Sequence, residues 1–183
     1  MSAVINDNIK NTIIEIYKQE NNLDRLFMFE NIPSNRLGNA IKSYALAMGN
    51  DEAVIFLFDD TVFGSAKDGF ILTTKRLYYK NMAEKGNCVD ISNILNMSLR
   101  RSMLNPRIIV KTDATELGVS IIKASDQNAL FSVLDQTVRF LKNSTDSIPG
   151  VDRASANQAL VCKGCGASYA KSIAICEYCG SSL

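Results

Sequence analysis

Asp68-Gly69-Phe70-Ile71-Leu72-Thr73-Thr74-Lys75-Arg76-Leu77-Tyr78-Tyr79-Lys80 is the stretch on which the fold turns. Residues 70–73 and 76–80 read as short β-strands, and Asp68-Gly69 and Thr74-Lys75 sit where turns belong. Upstream, residues 53–58 form an apolar run expected to be a buried strand. Downstream, residues 88–91, 94–99, 107–111 and 117–122 bring the set to about seven. Ile108 and Val110 share one face of the sixth run, and Leu117, Val119 and Ile121 share one face of the seventh. That alternation belongs to half-buried antiparallel strands.

Helices flank this block. Ile5, Ile9, Ile13, Ile16 and Tyr17 recur at helical spacing within residues 3–20. Leu23, Leu26 and Phe27 suggest a further short helical turn. Pro33 and Ser34 open another helix with Leu37, Ile41, Tyr44, Ala45 and Met48 on its apolar face and Gly49 as its cap. After the strands, Ser125 is placed to cap a long helix whose stripe is Leu130, Val133, Leu134, Val138 and Leu141. The fold class expected is α+β: N-terminal helices over residues 1–50, then a seven-stranded β-sandwich or open barrel over 51–143, its final helix closing one end. Residues 144–160, rich in polar residues with Pro149 and Gly150, read as a linker, and 161–183 form a separate small unit.

The small unit carries the most specific chemistry. Cys162, Cys165, Cys176 and Cys179 stand as two Cys-x-x-Cys pairs, each followed by a glycine, Gly166 and Gly180. Each pair sets two thiolates on one tight turn, and two pairs supply the four soft tetrahedral ligands that Zn²⁺ prefers. A thioredoxin-like motif needs only one such pair, and a disulfide framework suits a secreted chain. An iron centre on four thiolates has the same ligand set. Structural zinc is the reading adopted. With all four ligands from protein, no position is open for substrate. The centre carries a formal charge of about −2, which disfavours phosphate binding there. The fifth cysteine, Cys88, falls in a strand and is expected to be a small core residue.

Composition narrows the function. The 183 residues hold 20 basic and 19 acidic side chains, a formal net charge of +1, without a polybasic tail. Nonspecific duplex binding draws on phosphate neutralisation, which a near-neutral chain supplies poorly. No basic leader with an apolar core opens the sequence, and no apolar run is long enough to span a bilayer, so a cytoplasmic protein is expected. The chain has no histidine, which excludes Ser-His-Asp and Cys-His catalysis within it. Asp59-Asp60 reads as a polar, exposed turn, and no phosphate-binding glycine loop is present, so no enzyme is expected. Two groups of cations are candidates for partner or anion binding: Lys75, Arg76 and Lys80, and Arg100, Arg101 and Arg107. A solvated outer sheet face accounts for the same residues and is the default reading. Val62 and Phe63 are either an exposed wedge or tucked into the barrel.

The run from Asp59 through Tyr79, with its Asp68-Gly69-Phe70, Leu72-Thr73 and Arg76-Leu77-Tyr78-Tyr79 elements, resembles bacterial pleckstrin-homology-like domains, relatives of GRAM domains. The resemblance covers about half of the chain and implies seven strands in two orthogonal sheets with a C-terminal capping helix. The tail resembles the short bacterial zinc ribbons at all four cysteines and both glycines, with Lys163 where a proline is usual. The loop after the first strand offers Lys67 against Asp59, Asp60 and Asp68, so the resemblance does not bring phosphoinositide recognition with it. The function expected is a non-enzymatic adaptor that docks a protein partner. The alternative is a module on a membrane surface or on nucleic acid, using the basic residues, and a homo-oligomer is a further option.

Overall fold

A computed structural model describes residues 5–146 and the two short strands at 160–161 and 168–169. The chain divides into two units, Met1–Asp146 and Ser147–Leu183. The first unit is mixed α+β. Its elements are α1 (Asp7–Lys18), β1 (Leu26–Met28), α2 (Ser34–Tyr44), β2 (Val54–Asp59), β3 (Gly69–Thr73), β4 (Arg76–Lys80), β5 (Asn87–Asp90), β6 (Asn96–Arg100), β7 (Arg107–Lys111), β8 (Glu116–Ser120) and α3 (Gln127–Asp146).

β2, β3 and β4 are buried along nearly their whole length because both faces of their sheet are covered. Phe56, Phe58, Phe70, Leu72, Leu77 and Tyr79 face the main core, shared with β7, β8, α1 and α3. Leu57, Ile71 and Tyr78 face the other way, onto Ala40 and Tyr44 of α2 and Ala45. A register shift between Val54 and Phe56 lets Ile55 and Phe56 both join the main core. Two covered faces explain why these strands read as continuous apolar runs rather than as alternation.

All pairings in the unit are antiparallel, in a five-stranded sheet ordered β1-β2-β3-β4-β5 and a three-stranded sheet ordered β6-β7-β8. The seven strands expected between residues 51 and 143 are therefore present as β2–β8, and an eighth, β1, joins from the N-terminal region. β1 replaces the helical turn expected at Leu23, Leu26 and Phe27. Leu26 pairs with Phe58 and is buried, so sheet pairing overrides the local spacing. Gly69 opens β3 at φ +128°, where a Cβ would lie 2.1 Å from the Phe58 carbonyl oxygen.

The helices also differ in detail. α2 ends at Tyr44, short of Gly49, and the chain leaves it where Gly86 closes on the Tyr44 backbone, 2.7 Å from its Cα to a Cβ built on Gly86. The cap of α3 is Asp126, whose Oδ1 accepts from the N–H groups of Asn128 and Ala129. Ser125 instead donates to Asp24 across the chain. α3 runs on to Asp146, into the segment read as linker. Among the described residues no helix is long and apolar enough to cross a membrane. In the second unit, β9 (Leu160–Val161) pairs antiparallel with β10 (Ser168–Tyr169).

Candidate docking surfaces

The sequence-predicted cations do not converge. Arg76 is locked to Glu52 at 3.1 Å and to Asp90 at 2.6 Å, and Lys75 pairs with Asp51. Lys80, at the other end of β4, pairs with Asp68 at 2.7 Å. Arg100 pairs with Glu116 at 3.0 Å, and Arg107 lies 3.9 Å from Glu84. Among the described residues Arg101 is the one of the six without a carboxylate partner, donating to the Asn128 side-chain oxygen at 2.7 Å. Glu52 is the centre of the first group. Its buried carboxylate accepts from Thr73 at 2.7 Å and from Tyr78 at 2.9 Å, joining the start of β2 to the β3–β4 hairpin. Partnered in this way, a buried charge is tolerated and fixes register.

Asp59 and Asp60 are not an exposed pair. Asp59 is fully buried, 3.5 Å from Arg36 of α2, and its other oxygen accepts the Thr61 N–H and hydroxyl. Asp60 accepts the Ser120 hydroxyl at 2.6 Å and the Lys123 N–H at 2.7 Å. Burial raises its pKa above the ordinary aspartate value, against the lowering effect of those two hydrogen bonds. Both carboxylates are building material for the β2–β3 loop.

α2 braces that loop from one face. Arg36, Asn39 and Ser43, spaced at helical repeats, reach Asp59, the Ser65 carbonyl at 3.0 Å and the Lys67 carbonyl at 2.8 Å. Thr61 closes the loop internally by accepting the Ser65 N–H at 2.8 Å. Gly64 and the buried Ala66 adopt left-handed backbone, φ +73° and +54°, to complete the turn. Of the two alternatives for Val62 and Phe63, the exposed wedge is the one found, with Phe63 96% exposed.

Residues 118–123 draw three other loops to the same end. Besides Asp60, Asn81 of the β4–β5 loop donates to the Gly118 carbonyl and accepts the Ser120 N–H. Ile121 donates its N–H to the carbonyl of Pro106 in the β6–β7 loop at 3.1 Å. A cavity of about 340 Å³ lies between the β2–β3 and β8–α3 loops, lined by Val62, Phe63, Met82, Ile122, Lys67 and Lys123 among others.

A cavity of about 730 Å³ runs beside β5. One wall is Asn87, Cys88 and Val89 of β5, and the opposite wall is the β7–β8 turn, Thr112–Thr115. Among the described residues β5 pairs only with β4. The Ile91 N–H donates to the Lys75 carbonyl at 2.8 Å. Antiparallel alternation then turns the N–H and C=O groups of Asn87 and Val89 toward β4 and those of Cys88 and Asp90 toward the groove. Cys88, expected in the core, is exposed. It lies directly across from Tyr78 on the face that α2 covers, but at the sheet edge, beyond that cover. Sequence reasoning missed this groove because it depends on which strand forms the edge, and a sequence pattern does not state strand order.

Cys162, Cys165, Cys176 and Cys179 lie outside the described residues. The chain connecting β9 to β10 carries Cys162 immediately after β9 and Cys165 three residues before Ser168. Among the described residues, no group of three or more Cys, Asp or Glu side chains is placed to hold a metal. No protein-family model matches the chain, and no curated protein or solved structure matches it either.

Proposed function

We propose that the chain is a non-enzymatic adaptor, built of a pleckstrin-homology-like domain and a zinc ribbon, that docks an extended segment of a protein partner along β5. The observation that carries this is the edge of β5, unpaired among the described residues, facing a groove of about 730 Å³. An exposed strand edge offers backbone donors and acceptors at the spacing of another strand, and a partner that adds a strand gains affinity from them. Val89, Tyr79 and Leu117 give the groove an apolar floor, and Asn87 and Asn93 provide polar groups at its rim. The antiparallel strands β2–β8 followed by α3 support the pleckstrin-homology-like assignment. The non-enzymatic assignment is supported by the absence of histidine from the sequence and by the structural engagement of Glu52, Asp59 and Asp60. The ribbon, holding one Zn²⁺ through Cys162, Cys165, Cys176 and Cys179, supplies a second docking element whose tethering raises effective affinity.

Selection of linear peptides against the full chain tests the groove. Selected peptides are expected to shift the amide resonances of residues 87–90. Cys88→Pro, which removes the Cys88 N–H that faces the groove and is tolerated on an edge strand, is expected to weaken them at least ~tenfold without loss of fold. Peptides that bind equally well to Cys88→Pro, with unperturbed β5 amides, contradict the assignment.

A further inference from the structure

Six of the eight exposed large hydrophobic side chains among the described residues lie on loops at one end of the first unit. They are Val62 and Phe63 on the β2–β3 loop, Met82 on β4–β5, Met103 and Leu104 on β6–β7, and Ile122 on β8–α3. The hydrogen bonds made by residues 118–123 tie all four loops to the C-terminal end of β8. We propose that this end lies on an anionic lipid bilayer, with Phe63, Met103 and Leu104 inserted at the headgroup level.

Charge selects the occupant. The carboxylates at this end are all engaged: Asp60 by Ser120 and the Lys123 N–H, Asp68 by Lys80, Glu84 by Asn81, and Asp126 by the first N–H groups of α3. Lys67, Lys85, Arg101 and Lys123, on the same four loops, form no ion pair within 4 Å among the described residues. The surface facing outward is therefore apolar tips among cations that form no direct ion pair. That combination binds anionic bilayers: apolar side chains enter the acyl boundary while lysine and arginine stay with the headgroup charge.

Shape points the same way. Phe63 is 96% exposed and Met103 is fully exposed, so the tips are separate projections from different loops rather than one flat apolar area. A bilayer receives separated projections without matching them individually, whereas the core of a protein interface packs its anchors into pockets. The loop bearing Phe63 is already fixed by Arg36, Asn39 and Ser43, so little order is lost when it inserts. The attraction is to surface charge in general, and no individual headgroup pocket is required.

The chain has no tryptophan, so Phe63→Trp places a sole indole reporter at the tip. With vesicles of phosphatidylglycerol in phosphatidylcholine at ~0.15 M salt, its emission is expected to move to the blue, and the full chain is expected to co-sediment. Pure phosphatidylcholine vesicles should retain at least ~tenfold less, and soluble inorganic phosphate should not compete. Lys67→Glu with Lys123→Glu, and separately Met103→Ser with Leu104→Ser, should each lower partitioning about tenfold while the unfolding transition is kept, since all four side chains lie on surface loops. An unshifted indole in the presence of anionic vesicles overturns the proposal. Co-sedimentation that survives both double substitutions overturns it too. An indole shift produced by a soluble protein but by no vesicle reassigns the surface to a protein partner and equally overturns it.

Discussion

Asp60 shows at the level of one residue how burial and hydrogen bonding compete. Burial raises its carboxyl pKa, and the Ser120 hydroxyl and Lys123 N–H only partly oppose this. A carboxyl raised in the folded state binds its proton more tightly there than in the unfolded chain. Its stabilising contribution is therefore fully present below the ordinary aspartate value and is lost as pH rises from there through the folded midpoint. A carboxyl-carbon NMR titration should place Asp60 above the ~3.9 of an unperturbed aspartate. Wild type should also lose stability relative to Asp60→Asn across that window. A midpoint at or below the ordinary value contradicts the assignment. The polar character of Asp59-Asp60 was legible in the sequence, and so was their role as turn formers. Their burial was not, because the partners that permit it, Arg36 and Ser120, lie far away in the chain. Cys88 was misread for a related reason. Its strand was found, but exposure at a sheet edge depends on how far α2 reaches.

Among the elements, long or doubly covered segments were the readable ones. β2, β3 and β4 declared themselves by continuous apolar runs, and α3 by its stripe of Leu130, Val133, Leu134, Val138 and Leu141. β1 did not, since three residues are too few to separate a period of 2 from one of 3.6. The end of α2 was also misplaced, because the close approach of Gly86 to Tyr44 is a tertiary contact. That contact gives a sharp expectation. Gly86→Ala should destabilise the first unit by ~2 kcal/mol or more, since the Cβ would meet Tyr44 Cβ at 2.6 Å, and denaturant unfolding measures it. A loss within ~0.5 kcal/mol would mean that the two segments are free to separate there. In the tail, metal analysis is expected to find about one zinc per chain. Cys176→Ser is expected to release it and to leave the unfolding of the first unit unchanged. Protein that is purified without metal and keeps a structured tail contradicts the ribbon.

For the whole molecule, the change of texture at Asp51 marks a shift in secondary structure but not a boundary in the core. Ile13, Ile16 and Leu26 lie in the main core, and Ala40 and Tyr44 cover the opposite face of the five-stranded sheet. A chain lacking residues 1–50 should therefore expose Leu57, Ile71 and Tyr78 and lose an edge strand. Such a truncation is expected to aggregate or to bind a hydrophobic dye, and a monomeric, cooperatively unfolding product would show the N-terminal helices to be dispensable. The overall class, strands followed by a closing helix, was readable because it rests on local patterns. The two surfaces proposed for docking were not, because each is assembled from segments far apart in sequence.

The bracing of the β2–β3 loop by Arg36, Asn39 and Ser43 bears on how this protein tolerates change. The tip and its support are coded some twenty to thirty positions apart, yet they behave as one cassette. Residues between Asp59 and Lys67 cannot be lengthened, shortened or swapped for those of another protein unless the helix is exchanged with them. A graft meant to carry Phe63 elsewhere must take α2 along.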